Sequence, residues 1–468
     1  MKIMEIPGYR YPGAKPFESA DTNLFFGRER DVASLMAYAQ INPITVLHGK
    51  SGIGKTSLAH ICSAKLATEH QADVCYIRFG TYISSAVDQT PLQKVILSLL
   101  HKVPAASELS KIQSRLPNLD FSLWHALKKR EFSREANQGY LVLVFDQFEE
   151  LFTYPSESID AFASELGRII AAAAPKEYEN LAITNPETLS AKSWNALLSP
   201  PKIHILLLIR SDRLHLLNDI SQYLPTVFQQ QFRLGPLSPE QAREALIRPA
   251  VASGEYISPV FHYAPEAEKE IIDFLSSGGT RSIEPFQLQI LASTIERKIE
   301  HPDFVVRPEY LGSIHEIFEN YYEFKIENLD DEEQLAARNL IENGLILEEE
   351  KMRLTLHEGQ IARDYPVSRE TLEQLVNSNL LRRVLSEKGG FLYELSHDTL
   401  VDPILQSKMT RIERERQQRK VAEYEALRTH EQSKLEKIRT ERRQTRRLTL
   451  ALLLSVLLNL LLLWLLVM

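Results

Sequence analysis

Apolar residues in the first half of the chain fall into short continuous runs of strand length, at 44–47, 74–79, 140–145 and 203–209, separated by segments with helical spacing. Strands that are apolar at every position are buried on both faces. Their alternation with helices predicts an α/β domain with a parallel sheet covered on either side. At about residue 235 the pattern changes. From Ser238 to about Ile299 it is helical, opened by the capping-type sequence Ser238-Pro239-Glu240-Gln241. From about Asp330 to Pro403, short helices lead to two more strand-like runs, 380–385 and 391–395, joined by Ser386-Glu387-Lys388-Gly389-Gly390. Helices ending in such a hairpin predict a winged-helix domain.

Residues 408–447 lack Pro and Gly and are rich in Arg, Glu, Gln and Lys, which predicts one long solvated helix. Its apolar positions, Ile412, Val421, Tyr424, Leu427, Leu435 and Ile438, are sparse for a heptad seam, so attraction to anionic headgroups is the favoured use of this stalk. The segment 448–468 has 13 leucines and no charge. At about 1.5 Å per residue it would span roughly 31 Å, close to the ~30 Å of a bilayer's hydrocarbon. A transmembrane helix is expected in preference to a buried core helix, which would carry a polar face. Arg439, Arg442, Arg443, Arg446 and Arg447 crowd its entry and would hold everything before Leu448 in the cytoplasm, as a single-pass protein with a C-terminal anchor. The expected division is a nucleotide-binding core at 1–235, a helical domain at 236–325, a winged helix at 326–406, the stalk at 407–447 and the membrane helix at 448–468.

With 468 residues, 44% hydrophobic and 25% charged, the composition excludes disorder and a polytopic membrane protein. Two cysteines, Cys62 and Cys75, exclude a disulfide framework or a Cys-based zinc site and suit a reducing compartment. The net charge of -8 conceals a segregation: 408–447 holds 14 Lys+Arg and 7 Asp+Glu, or +7, which leaves -15 on the rest. An acidic body argues against nucleic acid as a partner, since duplex binding needs a basic face.

The strongest motif is Gly49-Lys50-Ser51-Gly52-Ile53-Gly54-Lys55-Thr56, followed by Ser57, a complete P-loop between an apolar strand and a helix-like segment. The glycines let backbone N–H groups turn toward phosphate oxygens, Lys55 reaches the β/γ-phosphates and Thr56 offers a hydroxyl to Mg²⁺. The apolar run ending at Asp146 has the pattern of a strand whose terminal carboxylate holds Mg²⁺. Glu149 and Glu150 follow, and either could orient or deprotonate the attacking water; the solvated start of the next helix is the alternative for one or both. Arg210 ends the run 203–209 and emerges on the same sheet edge. It could contact a γ-phosphate or instead pair with Asp212 or Asp146.

Taken in order, Tyr11-Pro12-Gly13-Ala14-Lys15-Pro16-Phe17, Leu24-Phe25-Phe26-Gly27-Arg28-Glu29, the P-loop, Asp146-Gln147-Phe148-Glu149-Glu150-Leu151-Phe152, Arg210-Ser211-Asp212, Leu234-Gly235-Pro236-Leu237-Ser238, Ile283-Glu284-Pro285-Phe286-Gln287-Leu288-Gln289 and Glu394-Leu395-Ser396-His397-Asp398 resemble the novel STAND NTPases, signal-transduction ATPases with numerous domains. The resemblance covers roughly residues 10–405. It implies an AAA+-like core, ATP or ADP with Mg²⁺ as cofactors, and Phe26, Gly27 and Arg28 as base or ribose contacts. Pro285 would pack on the nucleotide, and His397 would touch the β-phosphate of ADP to lock a resting state. Relatives often append WD40 or TPR repeats as sensors. None is visible here, which suggests either an unidentified sensor or effector protein as partner or direct sensing by the body.

The function expected is a membrane-anchored signalling ATPase. It would rest with ADP, exchange for ATP on a stimulus, form a homo-oligomer when active and reset by slow hydrolysis. Bacterial defence or stress signalling is implied by the resemblance alone. One alternative is an origin-recognition-type DNA-binding ATPase with a winged helix, against which the acidic body stands. The other is a non-hydrolysing nucleotide-binding scaffold, which the intact Lys55, Thr56 and Asp146 oppose.

Overall fold

The four apolar runs pair, as their two-sided apolarity requires, into one parallel sheet. The structure, a computed structural model, describes residues 8–80, 82, 89–101, 103, 122–133, 139–276, 282–378, 380–385, 390–396 and 400–467. Strands β1 (Ile44–Gly49), β2 (Asp73–Arg78), β3 (Leu141–Asp146), β4 (Ile203–Arg210) and β5 (Gln231–Arg233) lie in the order β2-β3-β4-β1-β5. Every pairing is parallel. Alternate residues serve opposite faces. Leu143, Phe145, Ile205 and Leu207 pack with Phe79, Phe148 and Phe162, whereas Val142, Val144, Leu206 and Leu208 pack with Leu58, Ile61 and Leu66 of the helix Lys55–Glu69. The short edge strand β5 was not expected, because only one of its three residues is apolar.

The second module is helical. Helices Pro239–Ala250, Pro265–Leu275 and Pro285–Glu296 each start with proline, whose fixed φ suits the first turn and whose missing N–H costs nothing there. Ser238 caps the first of them: its Oγ accepts from Gln241 N at 3.2 Å, and Gln241 Oε1 accepts from Ser238 N at 2.9 Å. A parallel pair, β6 (Phe261–Tyr263) and β7 (Phe304–Val306), packs Phe261 and Val306 into this module's core. Beyond it, β8 (Ile346–Leu347) pairs antiparallel with β9 (Met352–Arg353). Strands β10 (Leu356–His357), β11 (Leu381–Leu385) and β12 (Phe391–Leu395) form an antiparallel sheet in the order β10-β12-β11. The expected hairpin is therefore present as β11 and β12, within a residue of the expected bounds. Most of its turn, 386–389, lies outside the described residues.

Residues 404–468 form a second unit, built on a single helix of 67 residues, Val401–Val467. From 413 to 459 every described side chain is exposed, as a solvated stalk requires. The expected membrane anchor is overturned. Among the described residues no helix is long and apolar enough to cross a membrane. The single-pass placement, and the membrane as a partner through 448–468, fall with it.

The segment leading into the core is held by one buried carboxylate. Glu296, fully buried at the end of its helix, accepts from Arg10 N at 2.7 Å, Tyr11 N at 3.0 Å and the hydroxyl of Ser258. Arg10 in turn donates to Pro249 O at 3.1 Å and lies 4.4 Å from the centre of the Tyr256 ring. Tyr11 donates to Leu246 O. Glu296→Ala would orphan three buried donors and should destabilise the protein by about 3 kcal/mol or more. Glu296→Gln, which keeps one carbonyl acceptor, should cost less. Urea-unfolding midpoints read both; equal midpoints for wild type and Glu296→Ala would refute the clamp.

Candidate nucleotide site

The carboxyl ends of the sheet converge. In register, Gly49 lies opposite Arg210 and Arg78 opposite Asp146, so four strand termini share one edge. The P-loop crosses this edge and enters its helix at Gly54, whose φ of 97° is a left-handed conformation that favours glycine. Lys55 Nζ donates to Gly49 O at 3.0 Å and Lys50 O at 2.8 Å. Burial lowers the Lys55 pKa to about 8, with Arg210 adding to the drop and Glu149 opposing it.

Asp146 is buried and saturated by the protein. It accepts from Thr56 Oγ1 at 3.1 and 3.3 Å, from Gln147 N at 3.0 Å and from Arg78 Nη2 at 2.7 Å. Gln147 then adopts φ 52°, turning the chain into the short helix Phe148–Thr153. That turn separates the two glutamates. Glu149 lines the cavity, and burial raises its pKa against the pull of Lys55 and Arg210. Glu150 is pushed up to about 7 by burial, opposed first by Arg78 and, more weakly, by Arg383. Among the described residues, no hydrogen-bond donor meets Glu149 Oε2 or Glu150 Oε2.

Arg210 binds Asp212 in bidentate fashion, at 3.1 and 2.6 Å, so the ion pair weighed against a phosphate contact is what forms here. Its guanidinium still lines the cavity. Arg382 of β11 lies within its electrostatic reach: burial lowers the Arg382 pKa first, and the charge of Arg210 lowers it further.

These groups line a cavity of about 390 Å³, within the range of small-molecule sites. Gly52, Ile53, Gly54, Lys55, Thr56, Ser57, Asp146, Phe26, Arg28 and Pro285 all border it, and Gly49 lies behind the loop. Phe26 lies under Arg248, 4.1 Å from ring centre to guanidinium. Gly27, at φ 80°, touches the backbone of Gln241 so closely that no Cβ would fit. Arg28 is 6% exposed and engaged with Asp31 at 2.9 Å, Gly235 O at 2.7 Å and Ile53 O at 3.4 Å, so it braces the P-loop from behind. His397 lies outside the described residues. Reading motifs missed Arg78 and Gln289, both on the cavity wall. Arg78 is the one charged position in the run 74–79, and that exception would have found it; Gln289 stands in the segment 283–289 that carries the resemblance but was given no role there.

The residues fit a magnesium-bound polyphosphate. Backbone turns and Lys55 form a cradle, Thr56 and Asp146 are paired hard-oxygen donors, and a buried carboxylate oxygen lacks a donor at the cavity wall.

No curated protein matches this chain. Among solved structures, it is similar to the Walker-type ATPase PABY2304 of Pyrococcus abyssi, at 14% identity over 83% of this chain and 98% of that one, with a TM-score of 0.39. It is also similar to the ORC2 protein of Aeropyrum pernix in ADPNP–ADP complexes, at 16% identity over 82% and 95% of the two chains, TM-score 0.39. Cdc6p from Pyrobaculum aerophilum follows at 15% identity over 81% and 93%, TM-score 0.34. The profile of novel STAND NTPase 1 matches residues 11–437. The chain belongs to that family and is an NTPase.

Proposed function

We propose that the protein is an ATP/ADP-controlled switch that hydrolyses Mg·ATP slowly. The observation that carries this reading is the shared cavity: the P-loop, Asp146 and Glu149 of the core border the same space as Pro285 and Gln289 of the helical module. A nucleotide there would touch both modules, so its γ-phosphate could favour one arrangement of them over another. Lys55 would hold the β/γ-phosphates. Thr56 and Asp146 would hold Mg²⁺, which supplies charge neutralisation at the transferring phosphoryl group. Glu149, facing Lys55 across the cavity, would orient the attacking water and take its proton. Glu150 would stay in the wall with Arg78. Arg210 would exchange Asp212 for phosphate oxygens, which relieves its repulsion of Arg382. We read the hairpin β11–β12 with its helices as a winged helix that responds to this exchange, and we propose self-association in the ATP state.

Lys55→Ala should weaken ATP binding by roughly 10- to 100-fold, the loss of about 1.5–3 kcal/mol expected for a charge-assisted bond, read by calorimetry. Unchanged affinity would sink the site. Glu149→Gln should cut steady-state hydrolysis by about 100-fold or more while ATP still binds, and Glu150→Gln should leave turnover within a few-fold of wild type. The reverse pattern would move the base to Glu150.

Proton linkage gives a separate check. Burial puts the free Lys55 pKa at about 8, and a bound polyphosphate would raise it, so binding near pH 9 should take up protons and affinity should fall as pH rises through that range. Phosphate groups are fully ionised there and contribute no proton. Heats measured in buffers of different ionisation enthalpy report the uptake, and zero uptake would refute a buried, phosphate-bound lysine.

A further inference from the structure

We propose that Gln289 reads the base of the bound nucleotide and selects adenine over guanine. This rests on the nucleotide reading above. The cavity has two chemically different ends. The P-loop, Arg78 and Arg210 make one end polar and cationic, suited to phosphates; Leu24, Leu237, Ala245, Pro285 and Leu288 make the other apolar, suited to the flat face of a base. Gln289 lies in an unbroken buried run, 288–292, of the helix Pro285–Glu296, yet it lines the cavity. It is 9% exposed, and no donor among the described residues meets its Oε1.

A buried amide oxygen without a donor costs about 1–3 kcal/mol, which a ligand carrying the complementary group recovers on binding. Two other polar groups at this end are engaged. Arg28 is bonded to Asp31 and Gly235, and Ser57 Oγ accepts from Phe17 N at 3.1 Å. A glutamine amide matches adenine in two places, Oε1 accepting from the N6 amino group and Nε2 donating to N7. Guanine offers two acceptors, O6 and N7, along the same edge and leaves Oε1 without a donor.

The test is calorimetric titration of the full chain with ADP, GDP and 7-deaza-ADP, for wild type, Gln289→Leu, Gln289→Glu and Lys55→Ala. Wild type should bind ADP tighter than GDP by between about 5- and 150-fold, the discrimination of one bidentate pair, and 7-deaza-ADP should fall between them. Gln289→Leu should weaken ADP by that factor, leave GDP within about twofold, and erase the difference between ADP and 7-deaza-ADP. An unchanged ADP-to-GDP ratio in Gln289→Leu, with Lys55-dependent ADP binding intact, overturns the base assignment alone. If Gln289→Leu fails to fold, Gln289→Glu of the same size keeps the acceptor and loses the Nε2 donor. It should weaken ADP and abolish the advantage of ADP over 7-deaza-ADP, and wild-type behaviour in it overturns the proposal. Wild type that binds no nucleotide overturns both this inference and the reading beneath it.

Discussion

Parallel pairing with β4 inserted between β1 and β3 carries Gly49, Arg210, Asp146 and Arg78 to one edge of the sheet, with Asp146 and Arg78 about two residues short of Gly49 and Arg210, and the charge chemistry of the protein follows from that convergence. Strands buried on both faces can place polar groups only at their ends. Three cations, Lys55, Arg78 and Arg210, thus meet the carboxylates of Asp146 and Glu149 in a small volume of reduced dielectric, where each needs a partner. The partners found are local and exchangeable: P-loop carbonyls for Lys55, Asp146 for Arg78, Asp212 for Arg210. None of these pairs is deeply committed, since Arg78 is half exposed and so is Asp212.

The opposite end of the cavity depends on a different constraint. Gly13 to Phe17 form part of the wall, held at one end by Arg10 and Tyr11 on Glu296, at the far end of the helix that carries Pro285 and Gln289, and at the other by Phe17 N on Ser57 Oγ. One helix therefore supplies the cavity at its first turns and anchors the wall-forming segment at its last residue. Burying a carboxylate is unfavourable, as its raised pKa reflects, and three donors offset that cost. The arrangement joins the helical module to the segment entering the core, and the buried Tyr11 ring adds an apolar contact with Phe261 of that module.

How much of this was legible in the sequence varied with how local the signal is. The P-loop and the strand ending in Asp146 are contiguous, and a backbone needing left-handed glycine at Gly54 advertises itself in composition. Ser238 and Gln241 likewise declared a helix start that the hydrogen bonds bear out. Arg78 was hidden because its partner is 68 positions away in the chain and meets it only through strand register. The positions of Glu149 and Glu150 could not be separated by spacing, since a left-handed turn at Gln147 decides which one faces inward. Arg28 was named through the resemblance alone; it borders the cavity, and its bonds to Ile53 O and Gly235 O, which tie it to the P-loop, join residues far apart in the chain and carry no local signal. The membrane helix was inferred from a count of leucines, and among the described residues no helix is long and apolar enough to cross a membrane.

Communication between the modules, if it follows the nucleotide, has a specific electrostatic route. Arg210 depresses Arg382, which means each guanidinium raises the free energy of the other's charge across the gap between β4 and β11. Their carboxylate partners, Asp212 and Glu394, already bind them at 2.6 and 2.5 Å, so further relief must come from a new anion. A polyanion held by Lys55 would supply it at Arg210 first. The repulsion on Arg382 would then fall. A difference of about 1.4 kcal/mol between the two arrangements, modest for a partly buried charge pair, changes their ratio tenfold. Under the proposed switch, a difference of that size would be enough to couple β11 to a terminal phosphate.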